Sequence, residues 1–312
     1  MAVKLKPRAV GGYKHSEDLF KHAFGAPIGN IFFVDSATGS DTAGFGRSPD
    51  APFATLAYAF SSDVLTANND DHVFIAPGHT ETVDAAGDIA MDIAGVTVIG
   101  LGNNNASPLF TFATDTAATI AISANGITLR NVRVKTTIDE LVTMFAITGE
   151  NVTIDNVTYV DNGSTAQALQ FILTTAAADF LTVKNCRHVK TVAATATEVW
   201  IALVGCTDCK ILDCTFFMVL RDNASACVIS ADGNTRRTEI GRVKAHVTGY
   251  TSGLVSVVIG ASGATGIHYD SRYYCDTTIV TTINDCPSMA SFEVYCSNDL
   301  DKNGILDPTV AS

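Results

Sequence analysis

The chain has 312 residues, 47% of them apolar, and a formal net charge of −12 at pH 7. That apolar share can bury a large core, and one elongated domain accommodates it more naturally than two globules. The acidic balance argues against nonspecific grip on nucleic acid or an anionic membrane surface, and no apolar run reaches the roughly 18 residues that cross a bilayer.

The charge is unevenly placed. Residues 1–30 hold Lys4, Lys6, Arg8, Lys14 and Lys21 against Glu17 and Asp18, so this arm is +3 and the remainder −15. Two readings stand: a docking segment for an acidic partner surface, and a solvated terminus. The N-terminus lacks the apolar stretch of a signal peptide, which fits assembly in a cytoplasm. Within the arm, 16–24 predicts a short helix. Ser16 suits the N-cap, Glu17 and Asp18 fall in the first turn, and Leu19, Phe20, Ala23 and Phe24 make one apolar face before Gly25 and Pro27 end it.

A strand is expected at 31–35, followed by a turn-rich loop over 36–52 with Gly39, Gly44 and Gly46. A second short helix is expected over 53–60 after Pro52, then a strand and turn over 73–78.

From Gly95 a pattern recurs. Gly126-Ile127-Thr128-Leu129-Arg130-Asn131-Val132 returns as Asn151-Val152-Thr153-Ile154-Asp155-Asn156-Val157 and as Phe180-Leu181-Thr182-Val183-Lys184-Asn185-Cys186. Aligning Thr97, Thr128, Thr153, Thr182, Lys210 and Glu239 gives steps of 31, 25, 29, 28 and 29 residues. A period in that range marks a solenoid whose neighbouring repeats bury a shared core. Side chains alternate within each copy, so each is a strand. Asn131, Asn156, Asn185 or Asp213 then falls where a bend needs left-handed backbone dihedrals. A second alternating run follows, and another strand family precedes each copy at 119–123, 142–147, 169–173, 199–204, 226–230 and 254–259. Two or three short strands per coil without a helical crossover describe an all-β, right-handed parallel β-helix. Stacked Asn131, Asn156, Asn185 and Asp213 are expected to form an internal ladder of bonded side chains. Arg130, Asp155 and Lys184 alternate in charge at one outward place, which suits strands about 4.8 Å apart.

Of eight cysteines, Cys186, Cys209 and Cys214 read as reduced core residues. Cys206-x-x-Cys209 lacks the second ligand pair of a zinc site, and Cys275, Cys286 and Cys296 leave the disulfide question open. From about 263 the repeat pattern breaks. The expected division is therefore a docking arm with its helix (1–30), a β-helix with its cap (31–262) and a C-terminal cap or oligomer contact (263–312). Near the end, Asp299, Asp301, Asn303 and Asp307 match the first half of a calcium loop. Val310 stands at the twelfth place instead of a bidentate Glu, so a polar turn without metal is the preferred reading.

Chemistry is less visible than architecture. A glycosidase needs two acids about 5–10 Å apart. Glu198, Asp222 and Glu239 could share a face, against a default of solvated surface acids. Asp155 is accounted for by its charge row, Asp213 by the ladder, and Asp139 and Glu140 by a solvated loop. His188 and His246 read as packing residues at inward places, and Trp200 as the single outer tryptophan.

The residues from 31 to about 260 resemble the pectate-lyase-like right-handed β-helix proteins. The matching features are Phe33-Val34-Asp35, Gly39-Ser40-Asp41, Ser48-Pro49-Asp50, Pro52-Phe53-Ala54-Thr55-Leu56, Ala76-Pro77-Gly78 and Glu81. That resemblance implies a helix closing the N-terminal end of the solenoid, where bare strand edges would recruit other chains. With its small basic arm and Thr/Ala/Asn-rich coils, the chain looks like the short β-helix proteins of tailed bacteriophages. The resemblance implies a virion structural protein, assembled in the host cytoplasm. It would be a capsid decoration or cement protein that docks on the major capsid protein or another virion protein and stands as a homotrimer. The alternative is a polysaccharide lyase or hydrolase of small tailspike type; polysaccharide binding fits either.

Overall fold

A computed structural model describes residues 29–221, 223, 225–249, 256–275 and 284–298. The chain winds as a right-handed parallel β-helix with three faces: front and side ladders that join in one 17-stranded sheet through Gly266–Cys275, and an 8-stranded back sheet. A front sheet stacks Ile31–Val34, His72–Ile75, Thr97–Gly100, Thr128–Arg130, Thr153–Asp155, Thr182–Lys184, Lys210–Leu212 and Thr238–Gly241. A side sheet stacks Thr80–Val83, Leu109–Phe112, Arg133–Thr136, Thr158–Tyr159, Arg187–Lys190, Thr215–Leu220 and Lys244–Gly249. A back sheet runs from Ile89–Met91 through Ile120–Ile122, Phe145–Ile147, Ile172–Thr174, Val199–Leu203, Cys227–Ala231 and Ser256–Gly260 to Asn284–Asp285. Every pairing is parallel because each coil returns to its start one rung higher.

Alternation does the sorting. In the front sheet Val73, Val98, Leu129, Ile154, Val183, Ile211 and Ile240 point inward and are fully buried, row upon row. With the inward residues of the other sheets they make one continuous core from Phe32 to Met289, each residue being worth about 1.5–3 kcal/mol of transfer free energy.

The parallel ladder does not weaken at 263. Gly266–Cys275 pairs with both the front and side strands below it, and Met289–Asn298 pairs with Gly266–Cys275 along most of its length. The expected boundary at 262 therefore falls inside the solenoid. Composition hid this, because inward places there are taken by His268, Ser271 and Tyr273 rather than aliphatic residues.

The helix expected at 53–60 spans Leu56–Ser61, one turn later, with Thr55 as N-cap accepting from Tyr58 N. Phe53 instead bridges to Val34. Glu81 accepts from Leu56 N at 2.7 Å and Ala57 N at 3.1 Å, so a buried carboxylate satisfies two amides that a helix start leaves unpaired. Asp41 does the same for Ala54 N and Thr55 N. These acids of the opening motif hold backbone. The eight cysteines are free thiols, six of them buried.

Candidate attachment face

The bend between front and side sheets is left-handed in every coil from Asn131 upward: Asn131, Asn156, Asn185 and Asp213 have φ of 58°, 54°, 56° and 55°. Their amides bond the next coil's backbone, as Asn131 N does to Asp155 O. The side chains depart from the expected internal ladder. Asn156, Asn185 and Asp213 are exposed, because a left-handed corner between two strands turns its side chain out of the coil. Asn156 Nδ2 donates to Asn131 Oδ1 at 2.9 Å, but Asn185 Nδ2 donates to Asp155 Oδ1 at 2.7 Å instead of to Asn156. Asp213 leaves the row altogether for a two-pronged pair with Arg242, the corner residue one coil on, at 2.7 Å for each prong. The guanidinium holds the Asp213 carboxyl below its ordinary range.

The outward charge row is as expected. Asp155 stands between Arg130 (3.5 Å) and Lys184 (3.9 Å), its register partners. One rung row over, Glu239 accepts from the Tyr269 hydroxyl at 2.7 Å and pairs with Lys210 at 3.3 Å. The hydroxyl and then the ammonium hold its carboxyl below the ordinary range.

Glu198 overturns its expected place on the surface. Alternation through Trp200 turns both residues inward, and each is fully buried. The Glu198 carboxylate meets the Lys190 ammonium and accepts from Ala194 N at 3.2 Å and Arg221 N at 2.7 Å. It is a structural acid, cut off from any substrate. Burial pulls the Lys190 ammonium down to about 7, and Asp161 pushes the other way. Trp200, expected outside, sits in the core among Tyr159, Phe171 and His188. His188 is inward as expected, but His246 is on the outer face between Phe217 and Tyr274. Glu198 and Glu239 thus share no face, one being inside the coil and the other on the front sheet. Asp222 lies outside the described residues, as do Lys4, Lys6, Arg8, Lys14 and Lys21 of the arm and Asp299, Asp301, Asn303 and Asp307 of the calcium-like stretch.

A different face collects the chemistry. On the side sheet the outward rows read Thr80, Leu109, Arg133, Thr158, Arg187, Thr215, Lys244, Arg272, Tyr295, and Thr82, Thr111, Lys135, then Val189, Phe217, His246, Tyr274. In so acidic a chain, none of these outward places holds a carboxylate. Arg133 is tied to the carbonyls of Asn105 and Ser107. Among the described residues no carboxylate lies within 4.0 Å of Arg187, Lys244 or Arg272. Beside these cations, rings stack edge to face: Phe217 to His246 at 6.3 Å and His246 to Tyr274 at 4.5 Å. Phe217 is 44% exposed. Arginine and aromatic side chains on a flat, acid-free surface are the make-up of an interface core. The signal was present in the sequence as Arg187, Thr215, Lys244 and Arg272, spaced 28, 29 and 28 apart. It lies in the outward places of the strand after the bend.

No family profile and no curated protein sequence matches the chain. Among solved structures it is similar to a rhamnogalacturonan lyase, at 11% identity and a TM-score of 0.43 over 90% of each chain. It is also similar to the GH136 lacto-N-biosidase from Eubacterium ramulus, at 10% identity and a TM-score of 0.40 over 90% of this chain and 69% of that one.

Proposed function

We propose that the chain is a structural protein of a tailed-phage virion, of the capsid decoration or cement type. It docks through its basic N-terminal arm and projects the β-helix, as a homotrimer, as an attachment rod. The observation that carries this reading is how the coil carboxylates are used. Asp155, Asp208, Asp213 and Glu239 each hold a cation one coil away, and Glu198 holds one inside the core. These acids tie rung to rung and leave the side sheet as an acid-free contact face. Mass spectrometry of purified particles tests it: a copy number comparable with the coat protein is expected, and absence from the particle overturns the reading.

One observation favours the polysaccharide-enzyme alternative. The Thr195 hydroxyl bonds both Asp139 Oδ2 at 3.0 Å and Glu140 Oε1 at 2.7 Å, so two exposed carboxylates stand close together at one loop edge. A pair of neighbouring carboxylates is what a glycosidase uses. Release of reducing ends from host polysaccharide, abolished in Asp139→Asn and Glu140→Gln variants, would establish it.

A further inference from the structure

Residues 206–209 carry the chain from the back strand Val199–Leu203 into the front strand Lys210–Leu212. Their main chain is tied to the coil below and the coil above. Phe180 N donates to Thr207 O at 2.9 Å, Asp208 N to Arg236 O at 3.0 Å, Arg236 N to Cys206 O at 3.0 Å and Glu239 N to Cys209 O at 2.8 Å. Asp179 Oδ1 also accepts from Thr207 N at 2.7 Å. Asp208, with φ of 58°, turns the chain back so that Cys206 and Cys209 are both fully buried. There Cys209 Sγ donates to Cys206 Sγ at 2.7 Å. Thr174 supplies a second donor: its oxygen accepts from Val204 N at 2.8 Å, which leaves its hydroxyl hydrogen for the Cys206 sulfur. The Cys209 thiol holds Cys206 below the ordinary thiol range; burial opposes this and Thr174 adds to it. The same sulfur contact, together with burial, holds Cys209 above that range. Cys186 and Cys214, one rung apart, differ. Each donates to the carbonyl two residues before it, at 3.4 and 3.2 Å, and burial raises Cys186.

We propose that Cys206 and Cys209 are a modification site, a dithiol that hydrogen peroxide closes to a disulfide in the folded chain, with Cys206 as the attacking sulfur. Hydrogen peroxide is small and uncharged, so the local opening that folded chains undergo admits it. The Cys206 thiolate attacks one peroxide oxygen and the O–O bond breaks. Hydroxide leaves, takes up the proton that the Cys206 thiol released and becomes water, and Cys206 is left as a sulfenic acid. The Cys209 sulfur then attacks the sulfenic sulfur. The S–S bond forms, the S–O bond breaks, and the departing hydroxide takes the Cys209 proton as a second water. Each sulfur has lost one electron and the peroxide has been reduced to two waters. The backbone is already fixed, so only the side chains move, by about 0.7 Å, to reach the roughly 2.05 Å of a disulfide. The bridge locks the turn from whose outer side Asp208 holds Arg237 of the next coil. The inference is independent of what the rod attaches to.

Tryptic mapping tests it, because the peptide 191–210 contains these two cysteines and no other. The reduced full chain is treated with hydrogen peroxide while folded, then unfolded in urea with N-ethylmaleimide and digested. The peptide is expected to lose both labels together, as a species two hydrogens lighter than the dithiol. That loss should be about tenfold or more faster than the loss from Cys186 and Cys214, since oxidation follows thiolate character. Dithiothreitol given before labelling should restore both labels. Cys206→Ser, checked for an unchanged circular dichroism spectrum and Tm, should leave Cys209 labelled. The proposal is overturned if both labels persist in the unaltered chain, if they vanish singly, or if they vanish no faster than the label on Cys186. It is overturned equally if Cys209 loses its label as fast in Cys206→Ser as in the unaltered chain.

Discussion

The indole N–H of Trp200 donates to Nδ1 of His188 at 2.5 Å in the centre of the coil. That bond places the imidazole proton on Nε2, which has no hydrogen-bond partner among the described residues. Tyr159, Phe171 and Phe216 surround the ring, and burial takes its pKa down to about 3. The folded chain therefore holds His188 neutral where the unfolded chain protonates it, from about pH 6.5 down to about 3. In that window the unfolded state binds more protons, so stability falls as pH falls. The loss by pH 3 is at most on the order of 5 kcal/mol. Urea titrations at pH 7 and pH 4 should show a smaller difference for His188→Phe than for the unaltered chain; an equal difference refutes the assignment.

Lys190 and Glu198 stabilise each other only as a pair. Removing one partner strands the other charge in the core and costs about 3–5 kcal/mol. Lys190→Met and Glu198→Gln should each lower the urea midpoint steeply. Combined, they should cost much less than the sum of the two, because the second change removes the charge that the first left alone. Additive losses would mean the pair is not coupled.

The left-handed corners predict a sharp dependence on residue type. At Asn156, glycine tolerates φ of 54° and loses only the bond to Asn131 Oδ1, so Asn156→Gly should cost about 1 kcal/mol or less. Asn156→Val adds backbone strain and should cost about 2 kcal/mol more. Thermal unfolding of the two variants checks the order, and a reversed order would refute it.

The acid-free face predicts retention on heparin-agarose by a protein of net charge −12. Replacing Arg187, Lys244 and Arg272 by serine should lower the salt needed for elution, yet change stability by less than about 0.5 kcal/mol, since among the described residues none of them pairs with a carboxylate. A variant with neutral residues at Lys4, Lys6 and Arg8 separates the arm's share. If elution is unchanged by the triple replacement, the face does not bind anions.

The repeat, the strand alternation, the left-handed corner and the Arg130–Asp155–Lys184 row were all legible in the chain, because each depends on residues close in sequence or one period apart. Gly266–Cys275 was missed because its inward places hold polar residues, and periodicity reads polarity, not direction. Glu198 shows the same limit from the other side: an acid at an inward place is indistinguishable in sequence from one on the surface. What covers an acid, which cation stands one coil above it, and which strand face is left without carboxylates are settled only when coils of unequal length, 25 to 31 residues apart, are brought into register. Stacking at about 4.8 Å makes neighbours of residues whose spacing varies from coil to coil, and only the folded chain fixes that spacing.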